Sequence, residues 1–288
     1  MSEKVGVFNR LCWGSSSPGT VELEFLEQST LGLNEQWFNA GGLMGQLGEH
    51  SERTAQGTRR VEGNLRFCPT PVELDTLLAI ITGTASTPFA LATTGPTTHY
   101  WGANRDGTLY NYAGCFVNTA VFRASEGNPL TVELGIIGTD ETVSGSFPAV
   151  AIDLTNTPYM LQEATCSLGG TGYNFSSFAL QIDYGLEVKY RNSATPTVIK
   201  ATKRTVTLGL PVSLGTASAL YGSALAGIAA SVTFTNSGCS CVFTMPAVQA
   251  PRQPLPFGQR GVLDFEWQGV CRKSGSTVEL SIANDSTP

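Results

Sequence analysis

The chain has 288 residues and only 14% of them are charged, with 23 Asp and Glu against 17 Lys and Arg giving a net charge of -6 at pH 7. That length admits one large domain or two of ordinary size, and 41% hydrophobic residues exclude a disordered chain. The acidic balance excludes tight nucleic-acid binding, which takes a basic patch that releases counterions, and the basic runs Arg59-Arg60 and Lys200 to Arg204 are short and split by neutral residues.

The N-terminus, MSEKVGVFNRLCWG, carries no apolar segment of signal-peptide type, and no later stretch approaches the ~18 apolar residues of a membrane span. Thr20 to Leu26 (TVELEFL) alternates apolar and acidic residues and predicts a strand, as do Gln36 to Phe38 and Val61 to Phe67. A helix is expected from Pro71 to Ile81: Thr70 can cap it, Pro71 suits its first turn, and Gly83 stops it. Leu74, Leu77, Leu78 and Ile81 then share one face.

Asp106-Gly107 lies between aromatic-bearing segments and predicts a hairpin, because this pair supplies the positive φ angles of a tight primed turn. Glu126-Gly127-Asn128 and Asn236-Ser237-Gly238 separate further strand pairs in the same way. Thr131 to Ile137, Leu180 to Tyr190, Thr205 to Leu210, Val262 to Val270 and Thr277 to Ile282 read as strands, and Thr216 to Ala226 as a second, weaker helix ended by Gly227.

Seven scattered cysteines (12, 68, 115, 166, 239, 241, 271) give neither a disulfide framework nor a zinc spacing, and read as small buried hydrophobes. The two histidines, His50 and His99, stand beside no nucleophile motif, and there is no phosphate loop and no zincin helix. No catalytic residue, cofactor or metal is expected, and the chain is read as not an enzyme.

The two helix-stopping glycines, Gly83 and Gly227, are 144 residues apart, half the chain. A strand precedes each helix, Val61 to Phe67 in one case and Val206 to Leu210 in the other, and a long polar segment precedes each strand, Gly45 to Thr58 and Arg191 to Thr202. This order of elements predicts an internal duplication with its boundary near Phe147 to Thr157, giving β domains at 1–150 and 151–288.

Two segments carry a resemblance. GTRRVEGNLRFCPTPVELDTLLAIITG at 57–83 leads a strand into a helix ending in Gly, and GTLYNYAGCFVNTAVFRASEGNPLTVELGIIG at 107–138 runs from an aromatic strand through a Y-x-Y-x-G-C turn into a long hairpin. The chain resembles the tail tube (major tail) proteins of long-tailed, non-contractile bacteriophages, in their duplicated-fold version. The resemblance implies two tandem β-sandwich or half-barrel domains, each with one short flanking helix.

It further implies a structural virion protein, assembled in the host bacterial cytoplasm. Its partners would be copies of itself, in a ring of three chains with pseudo-sixfold symmetry stacked into a tube, together with the tape-measure, tail terminator and tail-tip proteins. Phage DNA would pass through the tube without tight binding, and no membrane span is implied. The family's long loop reaches a neighbouring ring or subunit, which assigns contacts to Gln46, Glu49, His50, Glu52, Arg53 and Arg59 in the first copy. Arg191, Asn192, Lys200 and Lys203 are the corresponding residues of the second.

The competing reading is a two-domain receptor- or glycan-binding module, in which Trp37, Trp101, Tyr110 and Tyr112 stack on a sugar. The Pro-rich segment Pro246 to Pro256 departs from the family pattern.

Overall fold

The computed structural model describes residues 9–17, 19–39, 54–143, 147, 156–213, 227–251 and 264–287. The first half contributes strands β1 (Arg10–Gly14), β2 (Val21–Leu23), β3 (Thr30–Asn39) and β4 (Thr54–Phe67), then helix α1 (Pro71–Thr82). Strands β5 (Phe89–Ala90), β6 (His99–Arg105), β7 (Thr108–Ser125), β8 (Thr131–Gly138) and β9 (Asp140–Val143) follow. The second half contributes β10 (Ala164–Leu168), β11 (Thr171–Tyr173), β12 (Ser177–Asp183), β13 (Leu186–Lys189), β14 (Val198–Ala201) and β15 (Thr205–Ser213). Last come β16 (Ile228–Asn236), β17 (Cys239–Gln249), β18 (Asp264–Arg272) and β19 (Ser281–Asp285). The fold is mainly β and antiparallel, as expected from the alternating segments.

Local chemistry sets the connections. Asp106 and Gly107 take φ of 51° and 82°, the left-handed pair of a type I′ turn, and the Gly107 N–H donates to Asn104 Oδ1 at 2.9 Å. Ser237 and Gly238 repeat this at 47° and 94° between β16 and β17. Helix α1 begins in a capping box: the Glu73 N–H donates to Thr70 Oγ1 at 3.3 Å, and Glu73 Oε2 accepts from the Thr70 N–H at 3.0 Å. It ends at Gly83, with φ of 74°. Leu74, Leu77, Leu78 and Ile81 are all fully buried, each contributing roughly 1.5 to 3 kcal/mol of apolar transfer.

Strands β3 and β4 run longer than the sequence pattern, β4 taking in residues 54–58 of the segment read as a long polar loop, and three other segments are cut short, broken or shifted. Only Val21–Leu23 of the 20–26 segment is paired. The 180–190 segment breaks at Tyr184-Gly185, where Gly185 has φ of 53° and its N–H donates to Asp183 Oδ1 at 2.8 Å. The last strand starts at Ser281, because Ser274 and Thr277 close a turn ahead of it. The expected helix at 216–226 and residues 252–256 of the Pro-rich segment lie outside the described residues, as does most of the expected boundary segment 147–157. No helix among the described residues is long and apolar enough to cross a membrane.

The pairings of the two halves repeat. β1 pairs with β2 and β6, as β10 pairs with β11 and β16. β4 lies between β3 and β8, as β15 lies between β12 and β18. β7 pairs with β6, β8 and β9, as β17 pairs with β16, β18 and β19. The halves are joined by β7 on β12 and by β5 on β19.

One buried core spans both halves. Phe122 of β7 meets Phe243 of β17 edge-on, with ring centroids 5.3 Å apart, and Phe178 of β12 lies 5.2 Å from Phe243. Asn284 of β19 donates to the Pro71 carbonyl and to Asp75 Oδ1, both at 2.8 Å, which fixes the start of α1 to the last strand. Arg204 ties the segment after β5 to the approach to β19, donating to the Ala92 carbonyl at 2.6 Å and to Glu279 Oε2 at 2.7 Å.

Candidate assembly surfaces

Strands β3, β4, β8, β7, β12, β15 and β18 lie side by side in one sheet. Side chains alternate across its faces, so register alone sorts them. Leu65, Leu134, Ala120, Ile182, Val206 and Cys271 form a continuous cross-strand row on the inner face, each no more than 2% exposed. The neighbouring rows face outward: Asn64, Gly135, Thr119, Asp183 and Thr205 in one, Arg66, Glu133, Val121, Gln181 and Thr207 in another.

Thr119, Gly135, Thr205 and Thr207 make parts of this outer face small, and Asp183 and Glu133 add carboxylates to it. Two of its guanidinium groups, those of Arg66 on β4 and Arg123 on β7, reach the same carboxylate, Glu133 Oε2, at 3.6 and 3.8 Å. A phosphate approaching the face would compete with that carboxylate for both cations. Gly135 is required here: a Cβ at that position would collide with the Thr119 hydroxyl across the strand pair.

The second surface is an arm. β8 covers β4 only from Val61 onward, so Thr54 to Arg60 and the facing end of β3 continue as a two-stranded ribbon. With no layer of the described residues packed on either side, Trp37 and Phe38 are 62% and 60% exposed although they point to opposite faces. The Phe38 ring lies over Gly57, where a Cβ would strike it. The ribbon is braced by Gln56 Nε2 donating to Glu35 Oε1 and Thr58 Oγ1 donating to Gln36 Oε1, both at 3.0 Å.

Of the sequence-assigned contact residues, Arg59 sits at the base of this arm. Its guanidinium lies 3.2 Å from Asp140 and 4.0 Å from Glu35, and its backbone N–H donates to the Ala194 carbonyl at 2.8 Å. The structure thus brings the base of the first long segment against the second, whose Arg191 and Asn192 form an exposed turn. Lys200 on β14 and Lys203 just beyond it are also exposed. Gln46, Glu49, His50, Glu52 and Arg53 lie outside the described residues.

Sequence reasoning missed Phe38 and Val143, because an exposed apolar residue at a strand edge has the same local pattern as a core one, and Asp140, because its partner Arg59 is 81 positions away. The stacking platform is corrected. Trp101 is 1% exposed and Tyr112 fully buried, and Tyr110 is half-buried with Arg105 over its ring at 5.0 Å, so only Trp37 of the four aromatics faces solvent freely.

The titratable groups inside the fold are held in neutral forms or in local ion pairs. His99 packs edge-on against Trp13 at 5.5 Å with Nε2 2.9 Å from Thr97 Oγ1, and burial pushes its pKa down to about 4. Burial raises the Cys12, Cys166 and Cys271 thiols to about 11, 12 and 12 and moves Cys115 and Cys241 up further, leaving them poor nucleophiles. All seven thiols are free, and six of them are buried. Among the described residues no group of three His, Cys, Asp or Glu side chains is placed to hold a metal ion.

A sequence model of the family described as phage tail tube protein matches residues 48–269. No curated protein matches the chain.

Proposed function

The chain belongs to the phage tail tube protein family, and from that membership we propose that it assembles with its own copies into stacked rings that form the tube through which phage DNA is ejected. It is a structural component of the virion. The observation that carries the finer reading is the seven-strand sheet on whose outer face Arg66 and Arg123 both reach the Glu133 carboxylate. Such a face suits a channel wall, because a carboxylate beside its cations weakens their hold on a polyanion.

In this reading the units 1–150 and 151–288 are two copies of one fold, three chains form a ring with pseudo-sixfold symmetry, and the wide face lines the lumen. The arm carrying Trp37 and Phe38, with Arg59, Arg191, Asn192, Lys200 and Lys203 near its base, reaches a neighbouring subunit or ring. The remaining contacts would come from Gln46, Glu49, His50, Glu52 and Arg53. Tape-measure, terminator and tip proteins would meet the interior and the two ends of the tube, and assembly would take place in the host cytoplasm of a long-tailed phage.

Negative-stain electron microscopy of the purified protein tests this. Rings or hollow tubes are expected; a monodisperse monomer at high concentration across all salt conditions rejects it.

A further inference from the structure

Helix α1 and strand β5 stand apart from the rest of the first half. Strands β1 to β4 and β6 to β9 each pair with a strand of their own half. Among the described residues β5 pairs with β19 alone, Ala90 opposite Ser281 and Phe89 opposite Ile282, and the Leu91 N–H donates to the Leu280 carbonyl at 3.4 Å.

Helix α1, which leads into β5, is held at both ends by side chains of the second half. At its start the Asn284 nitrogen donates to the Pro71 carbonyl and to Asp75 Oδ1, both at 2.8 Å, and the Asn284 oxygen accepts from the Tyr159 hydroxyl at 3.0 Å. A carbonyl only accepts, so the amide nitrogen has to face Pro71 and the oxygen Tyr159. Ser286 Oγ donates to the second Asp75 oxygen at 2.6 Å. At the other end the Tyr184 hydroxyl donates to the Ile81 carbonyl, one of the last four that a helix cannot satisfy itself. Asn284 is 4% exposed and both tyrosines are fully buried, so water does not replace these bonds in the closed fold.

We propose that α1 and β5 form a latch between the halves, a cooperative unit that closes on β19 and opens from it while the surrounding sheet stays folded, with Asn284 as its catch. The latch belongs to the single chain and does not rest on the assembly reading. Its joint is short, two residue pairs at β5 against nine between β3 and β4, so it gives way before the sheet does.

The two sides of the latch are far apart in sequence, 213 positions from Asn284 to Pro71 and 209 to Asp75. Helix α1 meets β5 and β7 of its own half and β17 and β19 of the other. Until the second half is in place the seat for Leu74, Leu77, Leu78 and Ile81 is incomplete, which makes closing the latch a late, long-range step of folding.

Native-state hydrogen exchange of the full chain, read by peptide, tests this. Peptides covering 71–82 and 281–285 should open together, with one denaturant dependence, and more easily than those covering 61–67 and 131–138. Asn284→Leu has similar volume and removes the amide, and Ser286→Ala removes only one bond to Asp75, so the second variant serves should the first not fold. Exchange at 71–82 and 281–285 should rise at least about tenfold in Asn284→Leu and about threefold in Ser286→Ala, with 61–67 and 131–138 unchanged. No acceleration, acceleration confined to 281–285, or equal acceleration at all four segments overturns the latch. None of these results touches the tube reading, which electron microscopy of the wild type decides separately.

Discussion

At the scale of single residues, Glu22, Glu73 and Arg204 each meet a local partner where the fold covers them. Glu22 meets the Arg10 Nε at 2.7 Å, Glu73 closes the helix cap, and Arg204 finds both Glu279 and a backbone carbonyl. His99 has no such partner and remains neutral. Its folded pKa of about 4 lies below the ordinary 6.5, so the unfolded chain takes up the proton first as pH falls. Its contribution is therefore complete above about pH 6.5 and is lost as pH drops toward 4, by about 3 kcal/mol at most. Urea unfolding of wild type and His99→Phe at pH 7, 5.5 and 4.5 should show the wild type losing stability faster. Parallel pH slopes in the two proteins would show that His99 is protonated without penalty in the folded chain.

At the scale of elements, what could be read from sequence was what local chemistry decides. The cap at Thr70, the stripe Leu74, Leu77, Leu78 and Ile81, and the turn at Asp106-Gly107 are each set by residues within a few positions of one another, and all three stand as expected. Thr70→Ala should cost about 1 kcal/mol, with Glu73 left without its reciprocal bond. Thermal unfolding measures it, and an unchanged midpoint would mean the cap is replaced by solvent. The facing of aromatics could not be read in this way. Trp101 and Trp37 both sit in alternating strands, but Trp101 lies in the core beside Phe67, with ring centroids 6.4 Å apart, whereas Trp37 is 62% exposed on a two-stranded ribbon. Whether a second layer exists is a tertiary fact, and alternation records only which residues share a face. The pairing of β7 with β12 was hidden for a related reason: it joins residues some sixty positions apart across the middle of the chain, and no turn signal announces it.

At the scale of the whole molecule, low charge and an extended sheet serve one purpose in the channel reading. A polyanion moving through a tube is retarded by each unpaired cation it passes, and in a stacked assembly every substitution is repeated around and along the lumen. Gln181 and Thr207 lie opposite one another at the middle of the outer face, on β12 and β15. Gln181→Lys together with Thr207→Lys places two unpaired ammonium groups there while leaving the buried row beneath untouched. Assemblies of the double variant should retain double-stranded DNA at low salt and release it as salt rises, with the logarithmic slope steepening by about 0.9 for each phosphate neutralised. Wild-type assemblies should retain none. The same two lysines on a face that lies outside the tube would instead bind DNA to the outer wall, where nuclease removes it. Nuclease protection of the retained DNA therefore distinguishes a lumenal face from an external one, and retained DNA that is fully digested would place this sheet on the outside.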